Sequence, residues 1–332
     1  MNTIYVICPD SNVPYGGVKQ LYRHADALNN RGLDAFILHQ EAGFRCTWFQ
    51  NHTRVTSQCD MEARLRQSDY LVFPEIHGPY ITEYQPGVRK VIFNQNVHYT
   101  FSKHPIGNHC RHTPYLHPDV VATIVVSEHD EAYLRQVFPG VNVLRIHYGL
   151  DHTLFNGRQL KQDQIAFMTR KLPGDVVQVI NMLKFRGALD GFELVEIDNK
   201  TEQEVAAALG NAQFFLSFSD RESFGLPPAE AMACGCVVIG YDGSGGREFL
   251  RAPYAYPVEA ANLLQFSQTA ERVINLYRQQ PERVREQGRQ ASAFVLQQYS
   301  MQREEDDIVA AWEMILKGAW TGSRHQLAAS LQ

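Results

Sequence analysis

Phe214-Phe215-Leu216-Ser217-Phe218-Ser219-Asp220-Arg221-Glu222-Ser223-Phe224-Gly225-Leu226-Pro227-Pro228-Ala229-Glu230-Ala231-Met232-Ala233-Cys234-Gly235 reads as strand, loop and helix. Phe214–Leu216 is a short apolar run of strand type. Pro227-Pro228 opens a helix, where a missing N–H costs nothing, and Gly235 closes it, where the chain turns left-handed. On this reading Glu222 lies in the loop at the carboxyl end of the strand and Glu230 in the first helical turn. Ligands of open α/β sheets bind just outside the carboxyl ends of strands. A helix start also offers free N–H groups to a phosphate or sugar oxygen. Two carboxylates there would repel a phosphate bound alone. They suit hydroxyls instead, one set from a sugar ring and one from a ribose. The plainer alternative is that Glu230 complements the helix dipole and Glu222 is solvated.

Outward from this stretch, apolar β-branched runs alternate with helical spacing, the signature of parallel sheets with crossover helices. Ile4–Cys8, Ala35–Leu38, Tyr70–Phe73, Lys90–Phe93, Thr123–Val126 and Val143–Ile146 are the strands of a first open α/β unit. The Gly16-Gly17 turn leads into a helix over Val18–Asn30. Ile165–Met168, Phe192–Ile197, Phe214–Leu216 and Val237–Ile239 are the strands of a second unit, with helices at Val176–Leu183, Glu202–Leu209 and Ala229–Ala233 between them. After Pro257 the chain reads as wholly helical, over Leu263–Gln279, Pro281–Tyr299 and Met301–Lys317, before a small polar tail.

The chain has 332 residues, of which 44% are hydrophobic. That is long for one core, since cores stop growing at roughly 250–300 residues, and comfortable for two. A formal net charge of -5 does not suit a protein that grips nucleic acid, so no nucleic-acid partner is expected. No apolar stretch reaches the roughly 18 residues of a membrane helix. The opening Ile4–Cys8 run is short, lacks a basic start and reads as a strand rather than a signal peptide. The six cysteines form no Cys-x-x-Cys pair, which fits reduced thiols in a cytoplasmic protein. Neither G-x-G-x-x-G nor a Walker loop is present, so the dehydrogenase and P-loop readings lose their support.

Two further constellations bear chemistry. Phe167-Met168-Thr169-Arg170-Lys171 ends the first strand of the second unit, and two cations there suit a pyrophosphate. Asn94-Gln95-Asn96-Val97-His98-Tyr99 follows the strand at Val91–Phe93, and Glu75-Ile76-His77-Gly78, after the strand at Tyr70–Phe73, is a weaker candidate. His104, His109, Cys110, His112 and His117 crowd one loop without the spacing of a known zinc site. No Asp-x-Asp follows an apolar strand, and Glu305-Asp306-Asp307 falls in a helix, so no metal site and no cofactor are expected.

Glu222 and Glu230, with seven residues between them in the setting Glu-Ser-Phe-Gly-Leu-Pro-Pro-Ala-Glu-Ala-Met-Ala-Cys-Gly, resemble the E-x7-E motif of retaining GT-B glycosyltransferases. The Val237-Val238-Ile239-Gly240 strand and Gly243-Ser244-Gly245-Gly246-Arg247-Glu248 continue that pattern. Gly16-Gly17 looks like the family's glycine pair, and His147-Tyr148-Gly149-Leu150-Asp151 like its inter-domain turn. The resemblance implies two Rossmann-like domains facing a cleft, with C-terminal helices crossing back to the first domain. It implies an acceptor domain over 1–152, a donor domain over 153–300, a crossover helix over 301–320 and a tail over 321–332. The reaction implied is metal-independent transfer of a sugar from a nucleotide-diphosphate sugar to a glycan or small-molecule acceptor. Bacterial surface polysaccharide synthesis, in the cytoplasm and at the inner face of the membrane, fits by analogy. In the family the first glutamate contacts the donor sugar, which maps to Glu222, and the second holds the ribose hydroxyls, which maps to Glu230. Backbone N–H groups of Phe224, Gly225 and Leu226 face the donor, Gly16 and Gly17 belong to the same set, and His98 fits a histidine near the reacting sugar. Arg170 maps onto the family's arginine. The family's lysine comes several residues later, so Lys171 stands in for it by proximity. A nucleotide-sugar epimerase or hydrolase of the same fold, and a non-catalytic nucleotide-sugar binder, are the alternatives.

Overall fold

The computed structural model describes residues 2–101 and 113–318. The chain divides into two compact units, Met1–His147 with Glu304–Gln332, and Tyr148–Arg303. The first unit runs β1 (Thr3–Ile7), α1 (Gly16–Asn30), β2 (Asp34–His39), β3 (Val55–Ser57), α2 (Gln58–Glu62), β4 (Tyr70–Pro74), α3 (Tyr80–Glu83), β5 (Arg89–Phe93), β6 (Val120–Val125), α4 (Glu128–Val137) and β7 (Val143–Arg145). Its sheet has the order β3-β2-β1-β4-β5-β6-β7, and every pairing is parallel. Such strands are covered on both faces and must be apolar throughout. β4 is buried at all five residues. The chain winds outward from β1 to β3, then returns to place β4 on the other side of β1. That reversal opens a crevice at the carboxyl ends of β1 and β4.

The second unit runs β8 (Gln162–Phe167), α5 (Pro173–Phe185), β9 (Glu193–Glu196), α6 (Glu202–Asn211), β10 (Ala212–Glu222), α7 (Leu226–Ala233), β11 (Val237–Ser244), β12 (Tyr256–Val258), α8 (Leu263–Gln279) and α9 (Pro281–Gln298). The parallel order is β12-β11-β10-β8-β9. Ile165, Phe214, Leu216 and Ile239 from the sheet meet Val179, Leu183, Phe266 and Val273 from the helices in one core.

The last helix, α10 (Met301–Lys317), belongs to the first unit from Glu304 onward. Its charged side is tied down by an Arg23–Glu304 ion pair and by Arg31, 2.7 Å from Glu305 and 2.6 Å from Asp306. Its apolar side inserts Trp312, which is fully buried and donates from Nε1 to His24 Nε2 at 2.7 Å. Burial pushes the His24 imidazole down to about 3, so it stays neutral and can accept that hydrogen bond.

The alternating pattern of strands and helices is as the sequence predicts, with local differences that include the short helices α2 and α3. β3 and β12 are three residues long and carry no readable period; β12 holds Pro257, which an edge strand tolerates because one side of it needs no partner. α4 was not marked by its weak apolar pattern, although Ser127 caps it by accepting from Asp130 N. β10 continues past the apolar run, because Ser217, Phe218 and Ser219 still pair with β11 and a register shift carries the strand on to Glu222 opposite Ser244. Glu222 therefore ends a strand rather than sitting in the following loop. α7 starts at Leu226 after the left-handed Gly225 (φ 90), so Glu230 is its fifth residue and lies beyond the first turn. The field of a helix start fades within that turn, and the dipole explanation of Glu230 fades with it. His104, His109, Cys110 and His112, and the tail, lie outside the described residues.

Candidate active site

In the second unit β8 ends at Phe167 opposite Leu216 of β10, and β10 runs on beyond it to Glu222. A small pocket of 40 Å³ opens there, and Arg170, Lys171, Ser219, Glu222 and Pro227 are among its lining residues. The two neighbouring cations differ. Lys171 Nζ is 3.1 Å from Glu222 Oε1, which leaves Oε2 to accept from a hydroxyl. Arg170 is exposed, and no hydrogen bond or ion pair ties it down among the described residues. A guanidinium with unspent donors at a strand end is suited to bidentate capture of a phosphate.

The loop after β10 is built from close contacts. Phe224 is buried against Tyr148, Phe249 and Tyr299, with ring centroids 5.6, 5.1 and 5.0 Å away. That anchor leaves only its backbone to meet a ligand. Gly225 takes the left-handed conformation that lets the chain turn into α7. Gly245 must be glycine for a different reason: a Cβ there would stand 1.9 Å from Ser223 O. The glycine-rich stretch after β11 is thus pressed against the Glu222–Ser223 turn and holds it in place.

The remaining candidates sit in the first unit. Gly16 opens α1, whose start has no side-chain cap. A Cβ on Gly17 would come within 3.2 Å of Gln95 Oε1. His98 lies in a 3-10 turn over Val97–Tyr99, its N–H accepted by Asn96 Oδ1 at 3.0 Å and its ring stacked on His129 at 5.7 Å. Among the described residues no group of three His, Cys, Asp or Glu side chains could hold a metal ion. Ser219 and Pro227 escaped the sequence reading, since a serine in a strand and a proline at a helix start carry no chemical signal of their own.

Glu75 is buried and accepts from Gln95 N at 2.9 Å. Burial pushes its carboxyl up to about 7, partly offset by backbone N–H donors. The folded state thus holds the proton more tightly than the unfolded chain, whose glutamates titrate near about 4.3. The stability this group contributes is complete below that value and is lost as pH rises toward 7, by up to roughly 3 kcal/mol. Glu75→Gln should therefore gain on the wild type between about pH 5 and pH 8, in urea midpoints measured at both. An unchanged difference between the two proteins would show that Glu75 does not titrate in this window.

Residues 178–291 match the family model described as glycosyl transferases group 1. A curated relative, an alpha-1,6-glucosyltransferase of Actinobacillus pleuropneumoniae serotype 7 (strain AP76), is 31% identical over 161 residues, which cover 47% of this chain and 46% of that protein. The chain thus spans about half the length of this relative. Sucrose-phosphate synthase from Thermosynechococcus elongatus superposes with a TM-score of 0.68 at 13% identity, over 96% of this chain and 100% of that one. The Anabaena protein HepE, solved with UDP and glucose, gives 0.66 at 12% identity, over 94% and 100%. At such identities the structures speak for the fold alone. The chain has the GT-B fold of two Rossmann-like units, and residues 178–291 of its second unit are similar to the glycosyl transferases group 1 family.

Proposed function

We propose that this chain is a glycosyltransferase that moves a sugar from a nucleotide-diphosphate sugar to a glycan or small-molecule acceptor, with retention and without a metal. The observation that carries the reading is the untied Arg170 beside the Lys171–Glu222 pair at the ends of β8 and β10, in a unit with the glycosyl transferases group 1 match. Arg170 binds the diphosphate and stabilises it as it leaves. Lys171 sets Glu222, whose free oxygen accepts from a hydroxyl of the donor sugar. Glu230 accepts from the ribose hydroxyls, and the backbone N–H groups of Phe224, Gly225 and Leu226 line the sugar and phosphates. In the first unit Gly16, Gly17 and His98 are the proposed contacts to the donor, and this unit takes the acceptor.

The bond from the anomeric carbon to the phosphate oxygen breaks, and the acceptor oxygen bonds to the same face of that carbon. The acceptor's proton passes to the departing phosphate oxygen, so no separate general base is needed. The work asked of the protein is stabilisation of the leaving diphosphate. A UDP-hexose is the first donor to try, since HepE was solved with UDP and glucose and the curated relative is named a glucosyltransferase. The described residues hold no helix long and apolar enough to cross a membrane. Work on a surface polysaccharide in the cytoplasm, with peripheral association at the inner membrane face, completes the proposal. It is tested by UDP titration in a calorimeter: Glu230→Ala should weaken binding by about 1–3 kcal/mol, the worth of hydrogen bonds to a carboxylate. Unchanged affinity would remove the ribose role.

A further inference from the structure

The crevice between β1 and β4 in the first unit holds a second pocket, of 140 Å³, whose lining includes Asp10, Gln40, Gln58, Phe73, Tyr80 and Tyr84. These residues come from both sides of the reversal in strand order, where open α/β sheets place ligands. We propose that this pocket seats one neutral sugar ring of the acceptor, stacked on Tyr80. The inference rests on the glycosyl-transfer reading for the word acceptor, and on the pocket's own chemistry for the rest.

One wall is aromatic. Tyr80 and Tyr84 stack with centroids 5.3 Å apart and planes 28° apart, and Phe73 meets Tyr80 edge-on at 6.3 Å. The Tyr84 hydroxyl donates to Glu62 Oε1 at 2.9 Å, which fixes the inner ring, while Tyr80 is left 44% exposed. The face of an aromatic ring is electron-rich and attracts the weakly positive C–H face of a pyranose. Another wall is polar and rigid. Asp10 Oδ1 accepts from His39 Nδ1 at 2.8 Å and from Gln40 N at 3.2 Å, and Oδ2 accepts from Glu41 N at 2.8 Å. A carboxylate has about four lone-pair directions. Three are used, so one remains for a hydroxyl, beside the amides of Gln40 and Gln58.

Charge and size narrow the ligand. Among the described residues no lysine or arginine lines the pocket, and its histidines are His39 and His77. His39 is buried, and burial holds its imidazole below the usual range despite Asp10. A phosphosugar or uronate would place a second negative charge beside Asp10, with only the His39 and His77 imidazoles nearby and no fixed cation to offset it. The 140 Å³ volume is well below the roughly 300–1,000 Å³ of pockets that enclose a drug-sized ligand. One ring fits, with the rest of a glycan outside.

The test is saturation-transfer NMR on the full chain with methyl α-glucoside, methyl β-galactoside, glucuronate, glucose 6-phosphate and adenosine as probes. At least one neutral glycoside should receive saturation on its ring protons. Tyr80→Ala should weaken that glycoside about tenfold, toward the upper end of what an aromatic contact contributes, and Tyr80→Phe should keep it. UDP affinity should be the same in all three proteins, and their urea unfolding curves should coincide, which shows that the variants are folded. The proposal is overturned if no neutral glycoside registers, if the anionic sugars or adenosine bind as well, or if Tyr80→Ala binds like the wild type. Failure of the wild type to bind UDP would instead sink the donor reading and leave the pocket result standing.

Discussion

Arg170→Ala is expected to lower turnover at saturating donor by about 10²–10³, the usual cost of losing one donor aimed at charge that develops in the transition state. The diphosphate is already charged in the bound donor, so some affinity will go as well. The larger loss falls on the rate, because breaking the bond to the sugar adds charge to the same phosphate. Only an interaction stronger in the transition state than in the ground state accelerates the step. Arg170 is exposed and untied among the described residues, so its removal should leave the fold intact. Arg170→Lys should rescue little, since lysine lacks the planar fork that holds two oxygens. Lys171 cannot step in while it is committed to Glu222. Steady-state kinetics on the wild type and both variants decide the matter. A rise in the Michaelis constant alone would make Arg170 a uniform binder.

Trp312→Ala should cost the first unit about 3–5 kcal/mol, the range for truncating a large buried aromatic. Trp312 fills the space beside Tyr70, with ring centroids 5.5 Å apart, and its indole N–H serves the neutral, buried His24. Removing it leaves a cavity and a buried imidazole nitrogen without a donor, and the second loss alone costs about 1–3 kcal/mol. Trp312→Phe should fall between the two proteins, since it keeps most of the volume and drops the hydrogen bond. Urea unfolding followed by circular dichroism reports the shift. A loss below about 1 kcal/mol would mean that α10 is held by its surface ion pairs, which is more than such pairs usually contribute.

The fold was legible where physics repeats along the chain. Buried parallel strands are largely apolar, and β1, β4 and the apolar stretches of β8 and β10 announce themselves in this way. Three-residue edge strands such as β12 have no period to read, and the polar end of β10 hides a pairing that only its neighbour β11 reveals. For the site, Glu222, Glu230 and Arg170 could be picked out because carboxylates and a cation at strand and helix ends are chemically odd. The Lys171–Glu222 pair joins residues 51 positions apart and is a matter of side-chain geometry. The pocket of Asp10 and Tyr80 gathers separate segments, of which only the one around His77 stood out in the sequence. Glu75 was marked by its place after a strand, yet its raised pKa comes from burial that spacing does not disclose.

Proton NMR of the full chain incubated with UDP-glucose, a panel of neutral oligosaccharides and EDTA tests the central claim most directly. It follows the donor, the nucleotide and any new linkage in one tube. The account predicts a new anomeric signal with the donor's configuration, formed in step with UDP release, persisting in EDTA and nearly absent with Arg170→Ala. Free glucose without a new linkage, a second UDP-sugar in place of UDP, or a donor that binds and stays unchanged would contradict it.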